Sequence, residues 1–99
     1  MARIRWSQEA ADDLEAIHDF IARDSAHYAR LLCADIVAAV DQLADYPQLG
    51  HAVPELQVPE FREVLVGNYR VVYRLQFVDV VEVVTVCHGA RVLRLKDRT

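Results

Sequence analysis

The stretch FREVLVGNYRVVYRLQF, residues 61–77, decides the fold of this chain. It holds two runs rich in valine and aromatic residues, which favour β-strands. Between the two runs stands Gly67-Asn68, a two-residue signal for a tight hairpin turn. The pattern therefore predicts an antiparallel pair of strands, one at 61–66 and one at 69–77.

The tight turn also predicts which side chains of the hairpin share a face of the sheet. In the register that a two-residue turn sets, Leu65 lies opposite Arg70, and directly opposed residues share a face. Glu63, Arg70 and Arg74 are therefore expected on one face. They form either a structural cluster of ion pairs or a platform that binds phosphate or carboxylate groups, and the sequence leaves both interpretations open.

The residues before this hairpin predict two helices. Apolar side chains recur at helical spacing through residues 8–22 and 26–45. Ser7 and Ser25 stand where an N-cap is needed. Because only a short break separates the two segments, we expect an antiparallel helical hairpin. The second segment is apolar on more than one side, which indicates that it needs cover beyond one helix and one sheet.

The other segments predict two further strands and a loop. Residues 2–6 alternate between apolar and arginine side chains, which is typical of a short strand with one buried face. Prolines and a glycine in residues 47–60 predict a loop, and the Val-rich run at 80–88 predicts a strand buried on both faces. The order is β-α-α-β-β-β, an α+β fold in which the N-terminal strand and the helical hairpin pack on an antiparallel sheet.

Composition divides the chain in the same way and excludes several classes of protein. Of 13 alanines 11 lie in residues 1–50, and of 15 valines 13 lie in residues 51–99, which fits a helical half followed by a sheet half. The chain is 54% hydrophobic, which excludes a mainly disordered state. Its apolar runs fall short of the roughly 18 residues that a membrane span needs. No secretory signal is evident, so we expect a cytoplasmic protein.

The net charge and the spacing of the cysteines narrow the possible classes of protein further. The net charge of −4 disfavours a generic nucleic-acid binder, which usually carries a basic surplus. Residues 1–88 carry −7 and residues 89–99 carry +3, so we treat 89–99 as a basic C-terminal segment of the same domain. Cys33 and Cys87 lie far apart without a CxxC motif, which predicts reduced, buried thiols. The sequence has no residue spacing typical of metal ligands and no Gly-rich fingerprint, so we expect neither a metal nor a cofactor.

Several pieces of the sequence together resemble the RelE/ParE superfamily, the toxins of bacterial type II toxin–antitoxin systems. Each piece is weak alone, and their order and spacing along nearly the whole chain carry the resemblance. The acidic charge and a lysine content limited to Lys96 make the resemblance closer to ParE than to RelE. The main pieces are Ile4-Arg5-Trp6-Ser7, Ala11-Asp12-Asp13-Leu14-Glu15-Ala16-Ile17, Tyr46-Pro47, Val53-Pro54-Glu55, Tyr69-Arg70-Val71-Val72-Tyr73-Arg74 and His88-Gly89-Ala90-Arg91.

The resemblance implies a partner and a choice of functions. The partner is a cognate antitoxin that winds around the toxin and neutralises it, and operator DNA is then bound only through the antitoxin. A ParE-like toxin inhibits bacterial DNA gyrase, which is a binding activity and not an enzymatic one. Two alternatives stay open: a RelE-like endoribonuclease that cleaves mRNA in the ribosome, and a non-toxic interaction protein. No cofactor and no membrane partner is implied.

Under the RelE-like alternative, the resemblance assigns catalysis to five residues. Arg62 and Arg70 fall near catalytic arginines of that branch, Glu55 resembles its carboxylate, and His88 or Arg91 falls near its C-terminal catalytic position. RNA cleavage needs cations on the phosphate, a group that activates the 2′-hydroxyl and an acid for the leaving group. His88 suits acid–base work best, because an imidazole titrates near neutral pH. No site motif carries over for the ParE-like branch.

Overall fold

A helical hairpin lies on one face of a five-stranded sheet in the computed structural model, which describes residues 1–77 and 79–94. The strand order across the sheet is β1-β5-β4-β3-β2. The predicted α+β class and the packing of a helical hairpin on the sheet are confirmed. The elements are β1 (Arg3–Trp6), α1 (Gln8–Ala22), α2 (Ala26–Gln42), β2 (His51–Ala52), β3 (Phe61–Val66), β4 (Tyr69–Gln76) and β5 (Val80–His88).

The β3–β4 hairpin has the predicted register. Leu65 lies opposite Arg70 and Glu63 lies opposite Val72, as the two-residue turn requires. In that turn Gly67 has a φ of 58°, a left-handed conformation that glycine adopts without a steric penalty. The turn therefore determines which side chains of the hairpin face the helices and which face away from them.

The N-terminal strand joins the sheet as predicted, but it runs parallel to its neighbour. Arg3 lies opposite Val80 and Trp6 lies opposite Val83 in a parallel β1–β5 pair, so the sheet is mixed and not wholly antiparallel. A parallel pair needs a long connection, and here the helical hairpin and three strands lie between the two partners. Strand β5 is consequently flanked on both sides, which buries its centre, including Val81 and Val83.

An irregularity in β5 ties the sheet to α1. The pairing of β4 with β5 shifts by one residue between Val72 and Tyr73, which leaves one extra residue in β5. The carboxylate of Asp13 in α1 accepts hydrogen bonds from Thr85 Oγ1 at 2.6 Å and from the N–H of Val86 at 3.0 Å. A helix side chain thus accepts from polar groups of β5 that the irregular β4–β5 pairing leaves without partners. This contact holds α1 against β5.

Both helices begin at the predicted N-caps. Ser7 Oγ accepts a hydrogen bond from the N–H of Ala10 at 3.0 Å, and Ser25 Oγ accepts one from the N–H of Tyr28 at 3.1 Å. Each serine satisfies one of the backbone donors that a helix start leaves without a partner.

Several elements differ from the sequence prediction: β1 begins at Arg3 and not at residue 2, and β4 ends at Gln76 and not at residue 77. Helix α2 ends at Gln42 and not at residue 45, because its last turn tightens: the N–H of Leu43 donates to the carbonyl of Val40 at 2.9 Å. The loop predicted at 47–60 contains the two-residue strand β2, which pairs with β3. A strand of two residues is too short to produce a hydrophobic pattern.

The core has two layers, one on each face of the sheet. The helices cover one face, and the loop at 53–58 together with the segment at 89–94 covers the other, which we call the outer face. The buried residues on the helix side include Ala10, Leu32, Ile36, Val40, Val71, Val83 and Val86, and those on the outer face are Val53, Phe61, Val72, Cys87 and Leu93.

Apolar side chains of α2 remain exposed on the surface. Tyr28 is 53% exposed and Leu31 is 51% exposed, which agrees with the expectation that this helix needs further cover. Cys87 is buried as predicted, whereas Cys33 is only half-buried, and neither forms a disulfide. Of the helices in the described part of the chain, none is long and apolar enough to cross a membrane.

Candidate functional site

An open cleft of about 960 Å³ lies where the β3–β4 turn, the loop after β2 and the turn after β5 meet. It brings together four of the five residues predicted for RNA cleavage, namely Glu55, Arg70, His88 and Arg91. These four come from three separate parts of the chain, so only the fold assembles them. The cleft is therefore the candidate functional site.

Arg70 forms the floor of the cleft and is held on several sides. Its side chain is only 7% exposed. Nε donates to Glu63 Oε1 at 2.6 Å, while Nη1 and Nη2 donate to the two carboxylate oxygens of Glu55 at 2.7 and 2.9 Å. Nη1 also donates to the carbonyl of Arg91 at 2.8 Å. The planar fork of the guanidinium is thus occupied by acceptors of the protein itself.

These contacts change the titration of both partners. The hydrogen bond from Arg70 holds the pKa of Glu55 at about 2, well below its ordinary 4.5, against the opposing effect of burial. In the same way, the hydrogen bond to Glu55 raises the pKa of Arg70. Both groups are ionised at neutral pH, and a carboxylate with so low a pKa is a weak proton acceptor.

The charged side chains of the outer face divide into two separate groups. Glu63 pairs with Arg70 as expected and also lies 2.9 Å from His51 Nε2. The expectation that Arg74 joins this cluster is wrong, because Arg74 Nη2 donates to Glu82 Oε1 at 3.0 Å. Arg74 and Glu82 are directly opposed in the β4–β5 register, whereas Glu63 is only a diagonal neighbour of Arg74.

His88 lies exposed at the rim of the cleft with one ring nitrogen engaged. Its Nδ1 accepts a hydrogen bond from the N–H of Ala90 at 3.1 Å, which leaves the proton of the neutral ring on Nε2. The ring packs edge-on against Tyr69, with centroids 5.8 Å apart at 78°. His88 therefore presents Nε2–H as a hydrogen-bond donor at the rim.

Arg62 is the predicted residue that does not line the cleft. Its Nη1 donates to the carbonyl of Gly50 at 2.8 Å and to that of Gln48 at 3.3 Å. It therefore holds the loop that follows α2, and its side chain lies on the opposite face of the sheet from Arg70. A position that alternates with Arg70 across the hairpin points to the opposite face.

Leu93 is a part of the site that sequence reasoning missed. It is 3% exposed within the outer-face core, and its N–H donates to Glu55 Oε2 at 3.1 Å. Its only signal in the sequence is an apolar residue inside a basic run. Lys96 and Arg98, which also belong to the predicted basic segment, lie outside the described residues.

Comparison with known proteins places this chain among bacterial toxins. A family model described as ParE toxin of type II toxin-antitoxin system, parDE, matches residues 4–93. Toxin RelE2 of Caulobacter vibrioides is 32% identical over 91 residues, a match that covers 92% of this chain and 99% of that protein. A solved structure titled chromosomal ParDE TA system from P. aeruginosa has the same fold, with a TM-score of 0.72 at 23% identity, covering 89% of this chain and 96% of that chain.

The class is therefore that of type II toxin–antitoxin toxins. Within this class, the chain belongs to the ParE toxin family. The resemblance to the RelE/ParE superfamily is confirmed, and membership implies a cognate antitoxin as partner. Within residues 1–77 and 79–94, no group of three or more His, Cys, Asp or Glu side chains could hold a metal ion.

Proposed function

We propose that this toxin inhibits bacterial DNA gyrase by binding it and that the cognate antitoxin neutralises it. The observation that carries the proposal is the occupied guanidinium of Arg70, bound by both Glu55 and Glu63. A ribonuclease of the RelE type would need this cation for the phosphate of its RNA substrate. A chain whose best-placed arginine is already neutralised is better suited to binding a protein than to cleaving RNA.

The titration of Glu55 supports the same conclusion. A general base works best when its pKa lies near the operating pH. The pKa of Glu55 is about 2, so it withdraws a proton from a 2′-hydroxyl poorly. The net charge of −4 adds to this argument, because a negatively charged chain is repelled by ribosomal RNA.

The location and the wider interactions follow from this proposal. Gyrase and the antitoxin both act in the cytoplasm, so we place the toxin there as well. Operator DNA is contacted only through the antitoxin. We treat residues 1–88 as the toxin body and residues 89–99 as a basic segment of the same domain.

RelE-like cleavage of mRNA is the second candidate, and one observation favours it. Glu55, Arg70, His88 and Arg91 all line the same cleft, although they are distant in sequence. His88 has an exposed Nε2–H that can donate a hydrogen bond to the leaving oxygen. In this case a substrate phosphate must displace Glu55 from Arg70 before cleavage.

Two assays with the purified toxin separate these candidates. In the first, bacterial gyrase supercoils relaxed plasmid while the toxin is titrated in. In the second, ribosomes carrying a defined mRNA are incubated with the toxin and the transcript is examined for cuts. We expect loss of supercoiling and an intact transcript. Transcript cleavage with normal supercoiling would overturn the gyrase proposal.

Variants at the exposed rim sharpen the result. His88→Ala and Arg91→Ala remove side chains that lie at the surface, so the fold should persist. Both changes should abolish cleavage if the toxin is a ribonuclease, whereas Arg30→Ala, an exposed arginine of α2, serves as the matched control. Growth that continues normally when the toxin is expressed without antitoxin would instead support a non-toxic interaction protein.

A further inference from the structure

A second group of charged side chains lies on the outer face, away from the cleft. Arg5 of β1 and Arg74 of β4 are each directly opposed to Glu82 of β5, so three neighbouring strands present these side chains on one face. Arg3 precedes Arg5 by two residues in β1 and therefore shares this face. We call Arg3, Arg5 and Arg74 the arginine cluster.

The arginine cluster is open to solvent. Arg3 is exposed, and the side chains of Arg5 and Arg74 are 60% and 36% exposed. Beside them Phe61 is buried, and the guanidinium carbon of Arg74 lies 5.9 Å from the centre of its ring. This part of the outer face therefore presents guanidinium groups to solvent above a buried ring.

The donors of the arginine cluster outnumber the acceptors around it. Arg5 Nη2 donates to Glu82 Oε2 at 3.2 Å and to Gln76 Oε1 at 2.8 Å, and Arg74 Nη2 donates to Glu82 Oε1 at 3.0 Å. Arg74 Nε is buried without an acceptor. Within residues 1–77 and 79–94, the guanidinium of Arg3 has no acceptor either. Three arginines against one glutamate leave the cluster with a net charge of +2.

The acidic charge of the chain lies on the other side of the sheet. Residues 7–46, which we call the helical layer, contain nine acidic residues and two arginines, a net charge of −7. Asp79 and Glu60 lie at the strand ends near the cluster, on positions that alternate with its outward ones. The sheet therefore separates a negative layer from a positive patch, and this patch attracts anions locally.

The spacing of the three arginines matches a chain of phosphates better than a single anion. Neighbouring strands lie about 4.8 Å apart, so Arg5 and Arg74, on either side of β5, start about 10 Å apart, whereas Arg3 and Arg5 start about 7 Å apart. Over about 10 Å of its axis, one strand of duplex DNA presents about three phosphates. Each guanidinium can donate two parallel hydrogen bonds to a phosphate.

The buried ring of Phe61 favours a duplex over a single strand. Proteins that bind single-stranded nucleic acid stack its bases on exposed aromatic rings. Phe61, the ring beside Arg74, is only 4% exposed and lies beneath the guanidinium. The arginine cluster is therefore suited to the phosphates of a duplex, whose bases are already stacked within it.

We propose that the arginine cluster binds the phosphates of a DNA duplex without reading its sequence. The proposal deepens the proposed inhibition of gyrase, whose substrate is DNA, and its role rests on that function. Binding to free DNA is weak, because the helical layer is repelled by the duplex. On gyrase, the DNA is held nearby at high effective concentration, which compensates for the weak contact. Such a contact has no sequence preference, so recognition of operator DNA stays with the antitoxin.

Fluorescence anisotropy tests DNA binding on the full chain, with a labelled duplex of about 20 base pairs. The comparison ligands are a duplex of unrelated sequence, a single strand of the same length and a poly-glutamate peptide. At low salt the two duplexes should bind equally, and at least about fivefold more tightly than the single strand or the peptide. Binding should weaken steeply as salt is added.

Two double variants locate the binding on the surface. Arg3→Ala combined with Arg5→Ala should weaken duplex binding about tenfold and reduce the slope of log affinity against log salt by about 2, because two phosphate contacts are lost. Arg23→Ala combined with Arg30→Ala removes the same charge from exposed positions of the helical layer. This matched control should weaken binding less than about twofold.

A variant that binds more tightly guards against an effect of misfolding. Glu82→Gln keeps an acceptor for Arg5 and Arg74 but removes the negative charge, so it should tighten duplex binding at least about threefold. Asp35→Asn makes the same change of charge at an exposed position of α2 and should have a smaller effect.

Several outcomes overturn the inference. They are a duplex that does not bind at low salt, a peptide or single strand that binds as tightly as the duplex, a helical-layer double variant that weakens binding as much as the cluster variant, and a Glu82→Gln chain that binds no more tightly than Asp35→Asn. The gyrase supercoiling assay is scored separately. Duplex binding without gyrase inhibition contradicts only the proposed target, whereas gyrase inhibition without duplex binding contradicts only this inference.

Discussion

Replacing Arg70 with methionine should destabilise the toxin strongly. Arg70 and Glu63 have side chains that are 7% and 6% exposed, so the change leaves a buried carboxylate without its guanidinium. Breaking a buried ion pair in this way costs about 3–5 kcal/mol. That is a large share of the roughly 5–15 kcal/mol by which a small domain is stable. For a chain of this size the melting temperature should fall by about 15–30 °C.

The free energy of unfolding is measured in urea at pH 7, followed by circular dichroism. Arg74→Met is the matched control, because Arg74 also lies on β4 and pairs with Glu82 but has a side chain that is 36% exposed. A pair so accessible to solvent should contribute less than about 1 kcal/mol. If the two variants lose the same stability, the argument from burial is wrong.

The dependence of stability on pH gives a second check of Arg70, through its other carboxylate partner, Glu55. The pKa of Glu55 falls from its ordinary 4.5 to about 2 in the folded chain, chiefly through its hydrogen bond with Arg70. Its contribution to stability is therefore present above pH 4.5 and is lost as the pH falls towards 2. The Arg70→Met variant lacks this contribution. The difference in the free energy of unfolding between the parent chain and the variant should therefore narrow as the pH falls from 4.5 towards 2. A difference that stays constant would contradict the role of Glu55.

Three further changes test other contacts, each by urea unfolding. Asp13→Ala removes the acceptor for Thr85 and for the bulged strand, and should cost about 1–3 kcal/mol through buried polar groups left without partners. Tyr73→Phe removes the hydroxyl that accepts from the N–H of Gly50 at 2.9 Å, and should cost a similar amount, about 1–3 kcal/mol. Gly50→Ala would place a Cβ 2.6 Å from the carbonyl oxygen of Glu63, so it should destabilise more than either change. A Gly50→Ala chain as stable as the parent would refute the close approach.

Local chemistry made much of the fold predictable. The Gly67-Asn68 turn defines the β3–β4 register through backbone geometry, and the caps at Ser7 and Ser25 mark the helix starts. These signals depend on only a few neighbouring residues, so they can be recognised without knowledge of the rest of the chain. The face shared by Glu63 and Arg70 followed from the same turn.

The features that were not predicted depend on contacts between distant segments. The pairing of Arg74 with Glu82 depends on how β5 aligns with β4, and the sequence between these strands has no turn signal comparable to Gly67-Asn68. The position of Glu55 beside Arg70 depends on a loop, for which the sequence has no periodic pattern. The site residues were named by resemblance, whereas the register of the hairpin by itself places Arg62 on the opposite face of the sheet from Arg70.

The parallel pairing of β1 with β5 has a consequence for biosynthesis. The first strand of the chain finds its partner only in residues 80–83, so the sheet stays open until the ribosome has added the last strand. Contacts this distant in sequence form late and slowly. The apolar side of the helical hairpin lies uncovered on the nascent chain until then. Folding of this toxin is therefore completed only after β5 has been synthesised, because β1, β4 and α1 all pack against that strand.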